Sequence, residues 1–192
     1  MKVIFNNNPT GAELIDGCRK GHHQDQHKLY QWLAPQMLAL CRRYITDASE
    51  AEAVMVKGFL KVFDKIDQYR GSGSFAGWVR RIMVNEALSY IRQHKNLYLE
   101  ADVELADSQP DYNHASQQLD AEDLLAMIDR LPSGYRTVFN LYAIEGYSHR
   151  EIADLLGISV STSKSQLNRA RKLLQKQLLE RQQAFDRQTA KP

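Results

Sequence analysis

The sequence predicts an all-α protein in which two small helical domains are joined by an acidic linker. Apolar side chains recur at intervals of three and four through almost every periodic segment, which is typical of helices that bury one face. No segment has the alternation of a convincing strand. After Lys95 the composition changes, because residues 100–123 hold eight acidic side chains and no Lys or Arg. The predicted divisions are a first domain at 1–95, the acidic linker at 96–117, a second domain at 118–182 and a polar C-terminal tail at 183–192.

The first domain is predicted to contain four helices. A short helix precedes residue 22, and residues 26–45 form a longer one in which Pro35 is the expected position of any kink. Asp47 and Glu50 have the spacing of a capping box at the start of the third helix. The segment Tyr69–Ser74 is rich in Gly and Ser and predicts a loop, after which a fourth helix begins at Phe75.

The second domain is predicted to end in a helix-turn-helix. Helical periodicity resumes at Leu124, stops at Pro132-Ser133-Gly134 and returns with Tyr135. Residues 148–172 then have the pattern of two short helices hinged at Gly157, which supplies a left-handed turn at low steric cost. Ser148 and Glu151 are spaced as a capping box, and Ser159 is placed to cap the second helix. This layout is typical of DNA-binding motifs that place the second helix in the major groove.

The second helix of this pair is predicted to have a buried and a polar side. Leu167, Ala170 and Leu174 lie on the buried side at helical spacing. Residues 148–181 carry seven Lys or Arg and three Asp or Glu, and their formal charge of +4 suits phosphate contacts. A helical hairpin with a solvated basic face is the alternative. The candidate DNA-contacting residues on the polar side are Ser161, Thr162, Lys164, Ser165, Gln166 and Arg169.

The composition limits the class of protein. A chain of 192 residues can bury one or two small cores, and a net charge of only +2 means that affinity for nucleic acid must come from local patches. The two cysteines, Cys18 and Cys41, do not make a disulfide framework. The apolar run at the N-terminus is too short for a signal peptide, and no stretch approaches a membrane span. We expect a soluble cytoplasmic protein without membrane insertion.

Two long motifs resemble those of a known family. Residues 64–85 read DKIDQYRGSGSFAGWVRRIMVN and resemble region 2 of an extracytoplasmic-function (ECF) sigma factor, a compact member of the sigma-70 family. Residues 131–153 read LPSGYRTVFNLYAIEGYSHREIA and resemble region 4 of the same family. The similarity covers about residues 25 to 95 and 118 to 178, in the order of the family.

The resemblance implies a mechanism. Such factors bind core RNA polymerase, read the minus-35 element with region 4 and capture the melted minus-10 element with region 2. The helix-turn-helix residues above then become candidates for minus-35 contacts, and the polar loop at 69–74 becomes a candidate cradle for an extruded base. For Phe75 and Trp78 we favour core packing. The minus-10 candidates are Tyr69, Arg70, Ser72, Ser74, Arg80, Arg81 and Asn85.

The sequence departs from the family pattern in two helices. The family commonly has acidic and amide residues at the positions of Ala53, Val56 and Lys57, so weaker binding to a basic polymerase surface is expected. Ser163 lies where the family usually has a buried apolar residue, and Gln166 replaces a common arginine. These two changes predict an altered minus-35 preference or weaker binding. The candidate core-polymerase interface is Glu52, Ala53, Val56, Lys57 and Lys61.

Two other classes of function stay open. One is a helix-turn-helix regulator that binds DNA with weakened or lost polymerase binding. The other is an enzyme or metal protein, since His23 and His27 are spaced i, i+4, but no second ligand pair or general base accompanies them. We therefore expect no catalysis, metal or cofactor.

The resemblance also bears on partners and regulation. Promoter DNA and core RNA polymerase are the expected partners, and the free chain is expected to be a monomer. Members of the family are often sequestered by an anti-sigma factor, which makes such a protein a candidate partner. The charge of −8 over residues 100–123 suggests a further hypothesis, in which the linker folds over the basic helix-turn-helix.

Overall fold

The computed structural model describes residues 9–94 and 121–189, with side chains described for 11–94 and 123–183. All regular secondary structure in these ranges is helical. The chain divides into two compact units between Gln93 and His94. The prediction of an all-α protein with two helical domains is confirmed. The predicted linker at 96–117 lies outside the described residues. The hypothesis that the linker covers the basic segment therefore stays a prediction.

From residue 9 onward, the first unit has four α-helices and one 3₁₀ turn. Asp47 begins the helix Ala48–Asp64, since its Oδ1 accepts hydrogen bonds from the backbone N–H of Ser49 at 2.9 Å and of Glu50 at 3.0 Å. Pro35 lies inside the helix His23–Tyr44, which continues past it. The elements are α1 (Pro9–Arg19), α2 (His23–Tyr44), α3 (Ala48–Asp64), the 3₁₀ turn (Ile66–Gln68) and α4 (Phe75–Gln93).

Helices α2, α3 and α4 pack on one another around a shared apolar core. Each contributes side chains at helical spacing, so the amphipathic pattern of the sequence is realised as one three-helix layer. Helix α1 packs against α2 and the 3₁₀ turn. The fully buried residues of this core include Leu29, Leu33, Leu40, Phe59, Val62, Val79, Met83 and Leu88.

At residues 121–189 the second unit has four α-helices and one π-helical turn. Pro132 precedes the first turn of the helix Ser133–Phe139, so the predicted break is confined to residues 130–132, and Ser133 and Gly134 are already helical. The second helix of the predicted helix-turn-helix is not short, because it continues for 30 residues. The elements are α5 (Ala121–Asp129), α6 (Ser133–Phe139), the π turn (Asn140–Ile144), α7 (His149–Leu156) and α8 (Val160–Thr189).

The core of the second unit forms where α5 and α6 pack on α8. Leu124 and Leu125 of the predicted apolar stripe are exposed, whereas the next turn of α5 turns inward. This core holds α8 from one side only, which leaves the opposite side of its first turns in solvent. The buried cluster consists of Met127, Ile128, Leu131, Tyr135, Ala170 and Leu174.

Candidate nucleic-acid interface

The helix-turn-helix is assembled by local hydrogen bonds that the sequence pattern predicted. The Ser148 hydroxyl accepts from the Glu151 backbone N–H at 3.3 Å, and Glu151 Oε2 accepts from the Ser148 N–H at 2.8 Å. Helix α7 ends at Gly157, whose φ of 66° is left-handed. The Ser159 hydroxyl accepts from the Thr162 N–H at 2.9 Å and begins α8. The capping box, the glycine turn and the second cap are confirmed.

One side of the first turns of α8 is exposed, and we call it the α8 face. Lys164, Asn168 and Arg171 are spaced i, i+4 and i+7, so they lie along one stripe. Asn168 and Arg171 were missed in the sequence analysis, although their positions opposite the predicted buried side were an available signal. The α8 face consists of Ser161, Lys164, Ser165, Asn168 and Arg171.

Three of the predicted contact residues do not lie on the α8 face. Thr162 is half-buried, and its hydroxyl lies 2.8 Å from that of Ser159. Gln166 and Arg169 are also half-buried and turn toward α6. A Cβ placed on Gly134 would lie 3.5 Å from Gln166 Nε2, and Arg169 Nη1 donates to the Tyr135 hydroxyl at 3.3 Å. Of the six residues predicted on the polar side, Ser161, Lys164 and Ser165 are exposed, whereas Thr162, Gln166 and Arg169 are not.

Ser163 is fully buried, as its position in the family pattern predicted, and it has a polar partner. Its hydroxyl lies 2.9 Å from His149 Nδ1. The His149 ring stacks on Tyr142 with centroids 4.6 Å apart. Partial burial lowers the pKa of His149 below its usual value, and the positive charges of Lys164 and Arg171 lower it further. A polar contact therefore joins α7 to α8 where an apolar one was expected.

The loop at residues 69–74, which we call the glycine loop, is closed by a hydrogen bond between two of its own residues. The Tyr69 hydroxyl donates to the Gly73 carbonyl at 2.8 Å. The Tyr69 ring packs on Phe75 and Trp78, with centroids 5.1 Å and 5.8 Å away. In the predicted cradle for an extruded base, the aromatic residue Tyr69 is therefore engaged within the protein.

Other contacts brace the glycine loop at both ends. Arg19 of α1 donates from Nη2 to the Tyr69 carbonyl at 2.7 Å. The Ser74 hydroxyl accepts from the Gly77 N–H at 3.1 Å and so begins α4. Arg70 and Ser72 lie between these ends, and both are exposed. Of the four loop candidates, these two have side chains that face solvent without a structural task in the described contacts.

The candidates on α4 are divided between solvent and protein. Arg81 and Asn85 are exposed and lie one helical turn apart, on the same side of α4. Arg80 is half-buried and has contacts within the protein. Phe75 is buried and Trp78 is half-buried, in agreement with the core packing that we favoured for them.

The candidate polymerase-binding face of α3 is partly apolar. Glu52, Ala53, Val56 and Lys57 are exposed, as is Leu60, which the sequence analysis did not include. Val56 is 43% exposed and Leu60 65%, so this face presents two large apolar side chains to solvent.

Lys57 and Lys61 both lie near one buried carboxylate, Glu86 of α4. Lys61 Nζ is 2.5 Å from Glu86 Oε1, and Lys57 Nζ is 3.9 Å from Oε2. The sequence analysis missed Glu86, although its spacing from Val79 and Met83 places it on the buried side of α4. The charge of Lys57, which we expected to repel a basic partner, is partly compensated within the protein.

The described residues hold neither a metal-binding cluster nor a membrane-spanning helix. His23 and His27 are exposed on α2, and no group of three or more His, Cys, Asp or Glu in the described part of the chain is placed to hold a metal. None of the helices at 9–94 and 121–189 has the length and apolar character needed to cross a membrane.

Comparisons with known proteins identify relatives of both units. Residues 29–97 match the family Sigma-70 region 2, and residues 121–174 match Sigma-70, region 4. The chain is 30% identical over 178 residues to the ECF RNA polymerase sigma factor SigE of Mycolicibacterium smegmatis, covering 86% of this chain and 66% of SigE. It is 30% identical over 176 residues to the ECF RNA polymerase sigma factor SigW of Bacillus subtilis, covering 85% and 94%.

A solved structure also aligns with the chain. It is the sigma factor RpoE in complex with the anti-sigma factor NepR from Bartonella quintana. The alignment has a TM-score of 0.49 and 23% identity, and it covers 82% of this chain and 98% of that one.

Proposed function

This chain belongs to the ECF RNA polymerase sigma factors of the sigma-70 family, and from that membership we propose that it directs core RNA polymerase to specific promoters and assists promoter melting. We propose that it acts in the cytoplasm by binding core polymerase and promoter DNA, without catalysis or a cofactor. The observation that carries the proposal is the presence, on one chain, of an exposed polar and cationic α8 face and of a braced glycine loop beside exposed α4 residues.

The α8 face is the proposed reader of the minus-35 element. Lys164 and Arg171 supply positive charge for phosphates, and Asn168 between them has the amide that pairs with an adenine edge. Ser161 and Ser165 add hydroxyl groups on the same stripe. Gln166 and Arg169 contribute less to DNA binding, because each must first leave its place beside α6 before it can contact a base.

The glycine loop and α4 are the proposed site for the melted minus-10 strand. Arg70 and Ser72 are held at the tip of a loop that is closed at Tyr69 and Gly73. A loop that is already ordered loses little conformational entropy on binding, so its contacts contribute more to affinity. Arg81 and Asn85 extend the site along α4 with one cation and one amide. Tyr69 and Ser74 hold the loop in shape, and the half-buried Arg80 lies beside Arg81 on α4.

The exposed face of α3 is the proposed contact with core polymerase. Val56 and Leu60 provide apolar area, Glu52 provides negative charge, and Lys57 is partly compensated by Glu86. Apolar contact at the centre of an interface contributes more to affinity than charges at its rim. The free chain is proposed to be a monomer, and an anti-sigma factor is proposed as a further partner on the basis of family membership alone.

The second candidate function is a DNA-binding regulator without polymerase partnership. Glu52 is the one acidic residue among the five interface candidates, whereas charge complementarity to a basic polymerase surface favours several. This alternative would be favoured if the free chain protected duplex DNA in a footprinting experiment more strongly than the chain does in the presence of polymerase.

The test is reconstitution of the full chain with core RNA polymerase. The complex is expected to co-elute, to select a promoter from a random duplex pool and to transcribe from it. Lys164→Gln should weaken selection of the upstream element, and Arg70→Ala should slow melting while leaving upstream binding intact. Lys176→Gln, a matched exposed lysine of α8 outside the α8 face, should change neither. A chain that does not co-elute with core polymerase overturns the proposal.

A further inference from the structure

Tyr142 of the π turn lies between the two helices of the helix-turn-helix. Its ring stacks on His149 of α7, with centroids 4.6 Å apart and an interplanar angle of 23°. The guanidinium carbon of Arg171 on α8 lies 5.7 Å from the centroid of the same ring. Tyr142 is 37% exposed, so it is not a core residue. It contacts one residue of each helix.

The ring is held in place from two directions. Its neighbours in the π turn, Asn140 and Leu141, are fully buried, so the backbone that carries Tyr142 is anchored in the second unit. His149 is anchored through the buried hydroxyl of Ser163 at 2.9 Å. The contacts Ser163–His149–Tyr142–Arg171, which we call the stacking ladder, connect the buried side of α8 to its exposed face.

The stacking ladder restricts a side chain that is otherwise mobile. A free arginine on a helix surface samples many rotamers, and ordering it on binding costs free energy. A guanidinium over an aromatic ring is attracted to the ring face, which favours one set of rotamers before DNA arrives. Lys164 on the same face has no such platform among the described contacts, although it lies two turns away on the same stripe.

We propose that Tyr142 is a positioning residue for duplex DNA, which holds Arg171 on the α8 face where its guanidinium meets a phosphate. The proposal rests on the proposed function, since it takes the α8 face as the duplex-binding surface. Tyr142 acts through Arg171, whose position one residue beyond the buried Ala170 directs it away from the core. The phosphate is recognised by charge and by the planar guanidinium fork.

The test is a double-mutant cycle in the full chain with Tyr142→Leu, Arg171→Gln and both together. The probe is a short fluorescein-labelled duplex selected from a random pool by the wild-type chain, and the readout is anisotropy across a salt series. Tyr142→Leu should weaken binding about two- to fivefold, the value of an exposed cation–π contact. It should have no further effect when Arg171 is already glutamine.

Two features separate positioning from a structural role. Arg171→Gln should make the slope of log affinity against log salt shallower by about 0.9, the value for one phosphate contact. Tyr142→Phe keeps the ring and should bind like wild type. Thermal unfolding of each variant shows whether lost binding follows lost folding, and a coupling confined to Arg171 persists whatever the stability of the Tyr142→Leu background.

The outcomes distinguish this proposal from the proposed function. Equal losses from Tyr142→Leu in both Arg171 backgrounds would overturn the positioning role, and so would an unchanged salt slope for Arg171→Gln. If Lys164→Gln weakens binding at the same time, the duplex-reading function stands. A wild-type chain that selects no duplex overturns the duplex-reading function and this proposal together.

Discussion

Lys61 of α3 donates a hydrogen bond to the buried carboxylate of Glu86 on α4, at 2.5 Å. Glu86 is 6% exposed, whereas the Lys61 side chain is 43% exposed, so the carboxylate depends on the lysine for its charge partner. Lys57 is a second, more distant cation at 3.9 Å. The α3–α4 interface therefore contains a charge whose compensation comes from the candidate polymerase-binding helix.

We expect Lys61→Met to destabilise the first unit by about 1–3 kcal/mol, because it leaves a buried carboxylate with only one distant cation. The lower part of this range is favoured, since solvent reaches the Lys61 side and screens the pair. Denaturant unfolding measures the change. Lys57→Met is the matched control and should cost less, because its nitrogen is farther from Glu86. Equal losses from the two substitutions would contradict this account.

Gly58→Ala is expected to destabilise the first unit by about 1–3 kcal/mol through overpacking. A Cβ on Gly58 would lie 2.3 Å from Met83 Sδ, and Met83 is fully buried between α3 and α4. Gly11→Ala in α1 is the control, since a Cβ there meets nothing within 4 Å and the helix gains propensity. Denaturant unfolding of both variants decides the matter, and a neutral Gly58→Ala would show that Met83 moves aside without cost.

Acidification is expected to destabilise the second unit through His149. The folded state lowers the pKa of His149 below 6.5, mainly because partial burial penalises the charged ring. The unfolded chain therefore binds this proton first, and stability falls as the pH drops from 6.5 through the lower folded pKa. Above 6.5 the neutral ring keeps its contact with Ser163.

His149→Asn is the variant that isolates this effect, since an amide does not titrate and keeps a polar atom near Ser163. Unfolding of wild type and variant is measured across the same pH range, so the contributions of the other histidines cancel. As the pH falls, the wild type should lose stability relative to His149→Asn. A pH-independent difference would exclude His149 as the source.

Both cysteines are expected to be unreactive in the folded chain. Burial raises the pKa of Cys18 to about 11, with a further contribution from Asp25, and the pKa of Cys41 to about 12. The thiolate is the nucleophile, so neither thiol should react with a disulfide reagent at neutral pH until the chain unfolds. The measurement is thiol titration with and without denaturant. Rapid labelling of a single native cysteine would reveal local opening of its helix.

Sequence analysis succeeded where the interaction partners are near each other along the chain. The Ser148–Glu151 capping box, the left-handed Gly157 and the buried side of α8 are all set within one or two helical turns. At the predicted capping box of Asp47 and Glu50, Asp47 caps the helix, but the described contacts include no return bond from the Glu50 side chain. Prediction was less successful for the polar side of α8. Gln166 and Arg169 have the polarity of surface residues, but both lie beside α6, where Arg169 donates to the Tyr135 hydroxyl. The length of α8 was also underestimated, although no Gly or Pro follows its polar first turns within Val160–Thr189.

The order of helices, the two domains and the position of the helix-turn-helix were determined by the sequence itself, because periodicity and caps act over about four residues. The pairing of Lys61 with Glu86, 25 residues away, and of Arg19 with Tyr69, 50 residues away, was decided by the tertiary structure. Such pairs depend on how helices pack, and packing depends on the shapes of whole faces. A polar residue read alone shows neither its partner nor the direction in which it points.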